Sequence, residues 1–236
     1  MKSVTATSDA VPAKEPATVM TAPTGAAIVG VGKTTVLVSG GVADGGTLWY
    51  AVTTTNTKPT STAGFSDAVP TAETIKASGT VYVWYYVKAD DTHSDSEIAA
   101  TAIEVPVADI IWDATNVGSD IYVDGYGSSY EKEGVELSAN PGEIYAMWYN
   151  DGISFEAGQS GGFTFTAPTG KAFTKIVMKA QGPSDWNEAN LGTGWAYNNS
   201  TVTWKGTAAA STVDLLKDAN DFYGAPVNRI AFYLSE

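Results

Sequence analysis

The sequence predicts an all-β chain built as two tandem β-sandwiches. Three observations carry that prediction. The first is Thr80–Lys88, TVYVWYYVK, which has no Gly or Pro and puts Val, Tyr or Trp at seven successive positions. The second is a series of short alternating apolar runs separated by Gly, Pro, Asn, Asp and Thr. The third is composition: 17% charged and 11% aromatic residues with 24 glycines and 10 prolines, a balance suited to many short strands and turns and too apolar for general disorder.

In Thr80–Lys88, Val81, Val83, Tyr85 and Val87 share one face of an extended chain, and Tyr82, Trp84 and Tyr86 share the other. Both faces call for cover, so the segment reads as a central strand, closed by the polar turn Asp90–Asp95. Residues 1–19, rich in Ala, Thr, Ser and Pro, read as a flexible linker. Ile28–Val31 and Thr34–Val38 follow as short strands. In Thr47–Thr53, Leu48, Tyr50 and Val52 alternate with Trp49 and Ala51. A Thr-rich loop runs from Thr54 to Gly64, and Ile98–Val107 is the last strand before the boundary. Short gaps between strands imply antiparallel pairing and an Ig-like outline for residues 20–107.

The boundary falls at Pro106–Asp109, leaving residues 108–236 as a second sandwich of Ig-like or jelly-roll type that carries recognition. Residues 1–106 hold 10 acids and 6 bases, residues 107–236 hold 16 acids and 7 bases, and the second part has five of the seven Trp. That asymmetry suits a surface-specialised second domain. Its strands are read at Ile110–Trp112, Ile121–Val123, Val135–Leu137, Glu143–Tyr149, Phe163–Phe165, Phe173–Lys179, Trp195–Tyr197, Thr201–Trp204 and Arg229–Leu234. In Phe173–Lys179, Ile176 and Met178 share one face, with Phe173, Lys175, Val177 and Lys179 on the other. Ala208–Asp221 is either two helical turns or a strand at Thr212–Leu216 followed by a loop; the neighbouring strands favour the second.

The formal net charge is −13 and there is no Cys. The carboxylate excess would repel nucleic-acid phosphates and anionic lipid heads, and the missing thiols remove disulfides and thiolate metal sites. No run of 18 apolar residues is present to span a membrane. The N-terminus lacks the basic and apolar regions of a signal peptide. An exported protein is therefore expected here as a processed chain behind an added Met1.

Motifs with chemistry are sparse. Gly30-Val-Gly-Lys-Thr-Thr35 resembles a phosphate loop, but Ala27 stands where its first Gly should be and a β-patterned stretch follows instead of a helix. It reads as a turn. His93 is the only histidine; it rules out multi-histidine zinc centres and reads as a solvated turn residue, with a weak ligand or base role as the alternative. Around it Asp90, Asp91, Asp95 and Glu97 could hold a hard cation, as could Asp120 and Asp124, although the spacing fits no helix-loop-helix calcium motif. Calcium is thus a possible cofactor and no other is implied. A glycosidase pair would need a buried acid among aromatics; Glu143 comes nearest and more simply starts a strand.

Gln181–Ser200, QGPSDWNEANLGTGWAYNNS, sets Trp186, Trp195 and Tyr197 among Asn, Asp, Ser and Gly. Such rings either anchor a folded loop to the core or form an exposed platform. On the second reading they stack on sugar faces while Asp185, Asn187 and Glu188 take the hydroxyls. Asn198–Thr201 also matches the N-glycosylation acceptor twice, which places the loop at the surface.

Two stretches resemble known families. Gly46-Thr-Leu-Trp-Tyr-Ala-Val52 with Ala77–Glu97 resembles bacterial Ig-like repeats of large cell-surface proteins from gut anaerobes, departing from them at Tyr86 and Asp90. Gly162–Met178, Gly194-Trp195, Val202–Gly206 and Arg229–Leu234 are similar to C-terminal β-sandwich modules of the same proteins and of adhesins. The resemblance implies a sandwich presented outside the cell and carries no catalytic residue with it.

These readings lead to an extracellular or cell-surface, non-catalytic protein that contacts a glycan or a host or surface protein, within a larger surface assembly. The first domain would be its spacer. The alternatives are a structural stalk or pilus-like module without a ligand and, more remotely, a glycan-active enzyme.

Overall fold

The computed structural model describes residues 13–113, 117, 120–140, 142–149, 152–157, 161–181, 186, 191–198, 200–217 and 225–235. It is all-β, with several discrete sheets and a short 3-10 turn at Ala72–Thr74. The chain divides into two compact units. Unit 1 comprises residues 1–26, 36–70 and 81–105; unit 2 comprises 27–35, 71–80 and 106–236. The contiguous ranges expected from sequence leave 27–35 and 71–80 out of the second domain.

The first eight strands are β1 (Thr18–Thr21), β2 (Thr24–Gly25), β3 (Val29–Gly30), β4 (Val38–Ser39), β5 (Val42–Asp44), β6 (Gly46–Thr53), β7 (Gly79–Ala89) and β8 (Ile103–Ala108). In unit 1, β1 pairs with β5, β2 with β4, and β6 with β7, all antiparallel. The β7 strand lies between β6 and β8, the central place its two apolar faces predict. Trp84 and Tyr86 pack with Phe65, and Trp49 and Ala51 of β6 close over them. Phe65 meets Tyr86 edge-on at 5.2 Å. The Trp84 indole N–H donates to Thr53 Oγ1 at 3.1 Å, so a ring in the core also satisfies its polar atom. On the other face Val81, Val83 and Val87 are buried as well.

Pairing begins earlier than the expected linker allows. Ser94 N–H donates to Glu15 O at 2.9 Å and Ala17 N–H to Ser94 O at 2.8 Å. Ala17 is buried. The backbone of Glu15–Ala17 is committed to pairing with Ser94, which the polar, Ala-rich composition conceals. Residues 1–12 lie outside the described residues.

Unit 2 continues with β9 (Ile110–Asp113), β10 (Tyr122–Gly125), β11 (Ser129–Lys132), β12 (Val135–Ala139), β13 (Gly142–Tyr149), β14 (Gly152–Ala157), β15 (Gly161–Thr166), β16 (Phe173–Ala180), β17 (Trp195–Asn198), β18 (Thr201–Trp204), β19 (Thr212–Lys217) and β20 (Ala225–Leu234). The larger sheet runs β10-β13-β14-β20-β16-β18-β17, with β9 also paired to β20; the smaller runs β11-β12-β15-β19. A single apolar cluster joins them, with Val135, Leu137, Phe163, Phe165, Val213 and Leu215 from the smaller sheet and Trp112, Val123, Phe155, Ile176, Met178, Ile230 and Phe232 from the larger. The arrangement is sandwich-like. Trp112 meets Phe232 at 5.0 Å and Tyr130 at 5.4 Å, both edge-on.

The β20 strand is apolar on both faces because both are covered. Ile230 and Phe232 enter the main cluster. Ala231 and Tyr233 join Ile28, Ala108, Ile111 and Val177 in a second cluster on the opposite face. Unit 2 therefore claims the segment around Ile28, and β3 pairs in parallel with the end of β8 at Val29↔Val107. Gly30-Val-Gly-Lys is a turn, with Gly32 at φ +67, and no helix follows it.

The β16 faces depart from simple alternation. The pairing with β20 shifts register between Phe173 and Lys175. The irregularity returns Phe173 to the side of Ile176 and Met178, so it joins the core. Thr212–Lys217 is a strand, with Val213 and Leu215 buried and Asp214 exposed.

Candidate functional site

The loop rings expected to form a platform are core residues. Trp186 is 5% exposed and sits in the main cluster of unit 2, edge-on to Phe155 at 6.1 Å. Trp195 is 7% exposed, and its indole N–H donates to Asp214 O at 2.7 Å, tying β17 to β19. Tyr197 is half-buried and packs on the same cluster. This corrects the exposed-groove reading: a ring of this size gains more by filling a core than by facing water, whatever polar residues flank it in sequence. Asp185, Asn187 and Glu188 lie outside the described residues.

The acidic turn after β7 spends its carboxylates on the turn itself. Asp90 Oδ1 accepts from Thr92 N–H at 2.8 Å, Thr92 Oγ1 at 2.8 Å and His93 N–H at 3.0 Å, and lies 2.8 Å from His93 Nδ1. The His93 and Thr92 contacts hold its carboxyl far below the usual carboxylate range. Asp95 accepts from Ala89 N–H at 2.9 Å and from Lys88 Nζ at 3.1 Å, which lowers its pKa as well, the Ala89 amide contributing most. Asp91 is exposed, and its carbonyl accepts from Lys14 Nζ. Among the described residues no group of three His, Cys, Asp or Glu side chains is placed to hold a metal ion.

The turn between β10 and β11, Asp124-Gly-Tyr-Gly-Ser128, has a different character. Asp124 Oδ1 accepts from Tyr126 N–H at 3.0 Å and Ser128 N–H at 3.1 Å, locking the turn from within. Those amides, Ser128 first, lower the Asp124 pKa, and the Tyr122 hydroxyl adds to the effect. With the backbone fixed, Tyr126 projects 75% exposed, and Tyr122 is 48% exposed. Tyr122 and Asp124 are two apart on β10 and share the face opposite Val123, which is in the core. Asp120 is exposed at the approach to β10, so the segment from Asp120 to Tyr126, an edge strand of the larger sheet and its turn, offers two exposed phenol rings and an exposed carboxylate as its surface. Such a surface can stack a flat apolar ligand face and accept hydrogen bonds from hydroxyls.

Sequence reasoning offered Asp120 and Asp124 only as calcium ligands and did not single out Tyr122 or Tyr126. The available signal was a Tyr between two glycines after an Asx-type residue: a tight turn has little volume in which to bury a ring.

Comparison with protein-family models, curated proteins and solved structures found no match.

Proposed function

We propose that this chain is a non-catalytic extracellular surface protein that recognises glycans, or a partner surface protein, through the β10–β11 turn of unit 2, with unit 1 as its spacer. One observation carries the reading: Tyr126 is the most exposed of the large apolar residues among the described residues, and it stands on a turn that Asp124 locks. Fixing the backbone beneath an exposed ring lowers the entropy cost of stacking a ligand against it. The resemblance of residues 20–107 to bacterial Ig-like surface repeats supports the cellular setting. Sugar C–H faces stack on phenol rings and Asp120 accepts from sugar hydroxyls, while Asp124 holds the turn. A single such contact is weak, and display of many copies multiplies its strength.

The test is a screen of the whole chain against host and plant glycans, with and without calcium, followed by Tyr126→Ala. The expected result is a bound glycan class, at least a tenfold loss of affinity in the variant, and folding stability within about 0.5 kcal/mol of the parent. Unchanged binding in Tyr126→Ala would remove the turn from the reading.

The stalk-like alternative rests on the β1–β5 ribbon. There Met20 is 66% and Val42 54% exposed at a register shift, two apolar side chains offered to a neighbour in an assembly. Concentration-dependent self-association lost in Met20→Lys, with no glycan bound, would favour it.

A further inference from the structure

The Thr-rich segment after β6 is neither a core element nor an ordinary tight turn. Residues 53–62 read Thr-Thr-Thr-Asn-Thr-Lys-Pro-Thr-Ser-Thr, with Lys58 the single charged side chain. Thr54, Thr55, Thr57, Thr60, Ser61 and Thr62 are all exposed. Both ends of the loop are tied down. Thr53 accepts from the Trp84 indole and donates to Thr55 O at 2.8 Å. Phe65 is buried in the unit 1 core, and Ser66 exchanges backbone hydrogen bonds with Tyr50 at 2.8 and 3.0 Å. Between these anchors the hydroxyls serve no fold purpose: among the described residues, Thr53 is the only member of 53–62 whose side-chain hydroxyl has a hydrogen bond.

We infer that this loop is an acceptor for O-linked sugars, carried on several of the six exposed hydroxyls between Thr54 and Thr62. Dense Thr and Ser around a Pro, held off the core, is the composition of O-glycosylated segments. Hydroxyls that do not hold the fold can be derivatised without disturbing it. The donor is a sugar activated at its anomeric carbon by a phosphate-linked leaving group. A transferase base takes the Thr or Ser proton, the side-chain oxygen bonds to the anomeric carbon, and the carbon–oxygen bond to the phosphate breaks, releasing the phosphate-bearing carrier. Sugars here would also stand beside β6, a sheet-edge strand, and hinder edge-to-edge pairing with other chains.

The experiment compares the intact mass of the chain isolated from the cells that make it with that of the same chain made in a cell-free system, then maps any difference by electron-transfer fragmentation. The expected result is added mass in whole sugar residues, located on 54–62. It should be lost when the six hydroxyl residues are replaced by Ala in the native host, with the melting temperature unchanged. Equal masses, or additions confined to Asn198 or Asn199, would overturn the inference. So would an undiminished added mass in the six-Ala chain.

Discussion

The imidazole of His93 lies against the α-carbon of Gly45, so close that a methyl group placed on Gly45 would sit 2.7 Å from His93 Cγ. Gly45 has φ +73, which a side chain also disfavours. The next residue is equally constrained, since a Cβ on Gly46 would run into the backbone carbonyl of Lys88. Gly45→Ala should therefore destabilise by about 1–3 kcal/mol from strain and crowding together. Adding His93→Ala should return the crowding part. Urea unfolding of both single variants and the double would show it, and strict additivity would mean the two residues do not press on each other.

Asp90 ties the same turn and sets its acid sensitivity. Its folded pKa is depressed, so its contribution is complete above the unfolded value of about 3.9 and is lost as pH falls towards the folded value. Asp90→Asn should lower the urea midpoint near neutral pH, and the gap to the parent should narrow as pH is taken below the ordinary carboxylate range. A gap that stays constant across that range would disconnect Asp90 ionisation from stability.

The two loop tryptophans should behave as core rings. Trp186→Ala and Trp195→Ala are each expected to cost about 3–5 kcal/mol, and Trp195→Phe about 1–2 kcal/mol through loss of the hydrogen bond to Asp214. Chemical denaturation measures this. Losses below about 1 kcal/mol with glycan binding abolished would put the rings back in a binding site.

Tyr233 carries a buried hydroxyl without a partner among the described residues, and burial, aided by the Asp109 charge, pushes its pKa up to about 12. A folded phenol that holds its proton above the unfolded value of about 10 contributes stability below that pH and loses it as pH climbs towards 12. Tyr233→Phe should raise stability by about 1 kcal/mol at neutral pH and flatten the alkaline loss between pH 10 and 12. Destabilisation by the same amount would reveal a partner for the hydroxyl.

Legibility in the sequence followed how strongly local pattern constrains burial. β7 was plain because both of its faces are apolar, and β19 could be chosen over a helix because strands were read on both sides of it. Phe173 was placed on the wrong face because a register shift has no signature in residue type. Trp186 and Trp195 were ambiguous for a related reason: polar neighbours in sequence do not fix the direction of a ring, which is set by a core formed from distant strands. Tyr126 was overlooked because turn glycines were read as punctuation and the residue between them was not weighed.

The second apolar cluster of unit 2 bears on how this chain can be cut and recombined. Ile28 is separated by most of unit 1 from the β9, β16 and β20 residues it covers, so no single unbroken stretch of sequence encodes unit 2 with both faces of its larger sheet dressed. A gene fragment starting at Pro106 would lack Ile28 and so leave that cluster incompletely covered, which invites aggregation. The interchangeable cassette, for evolution and for the bench, is the pair of units inherited together.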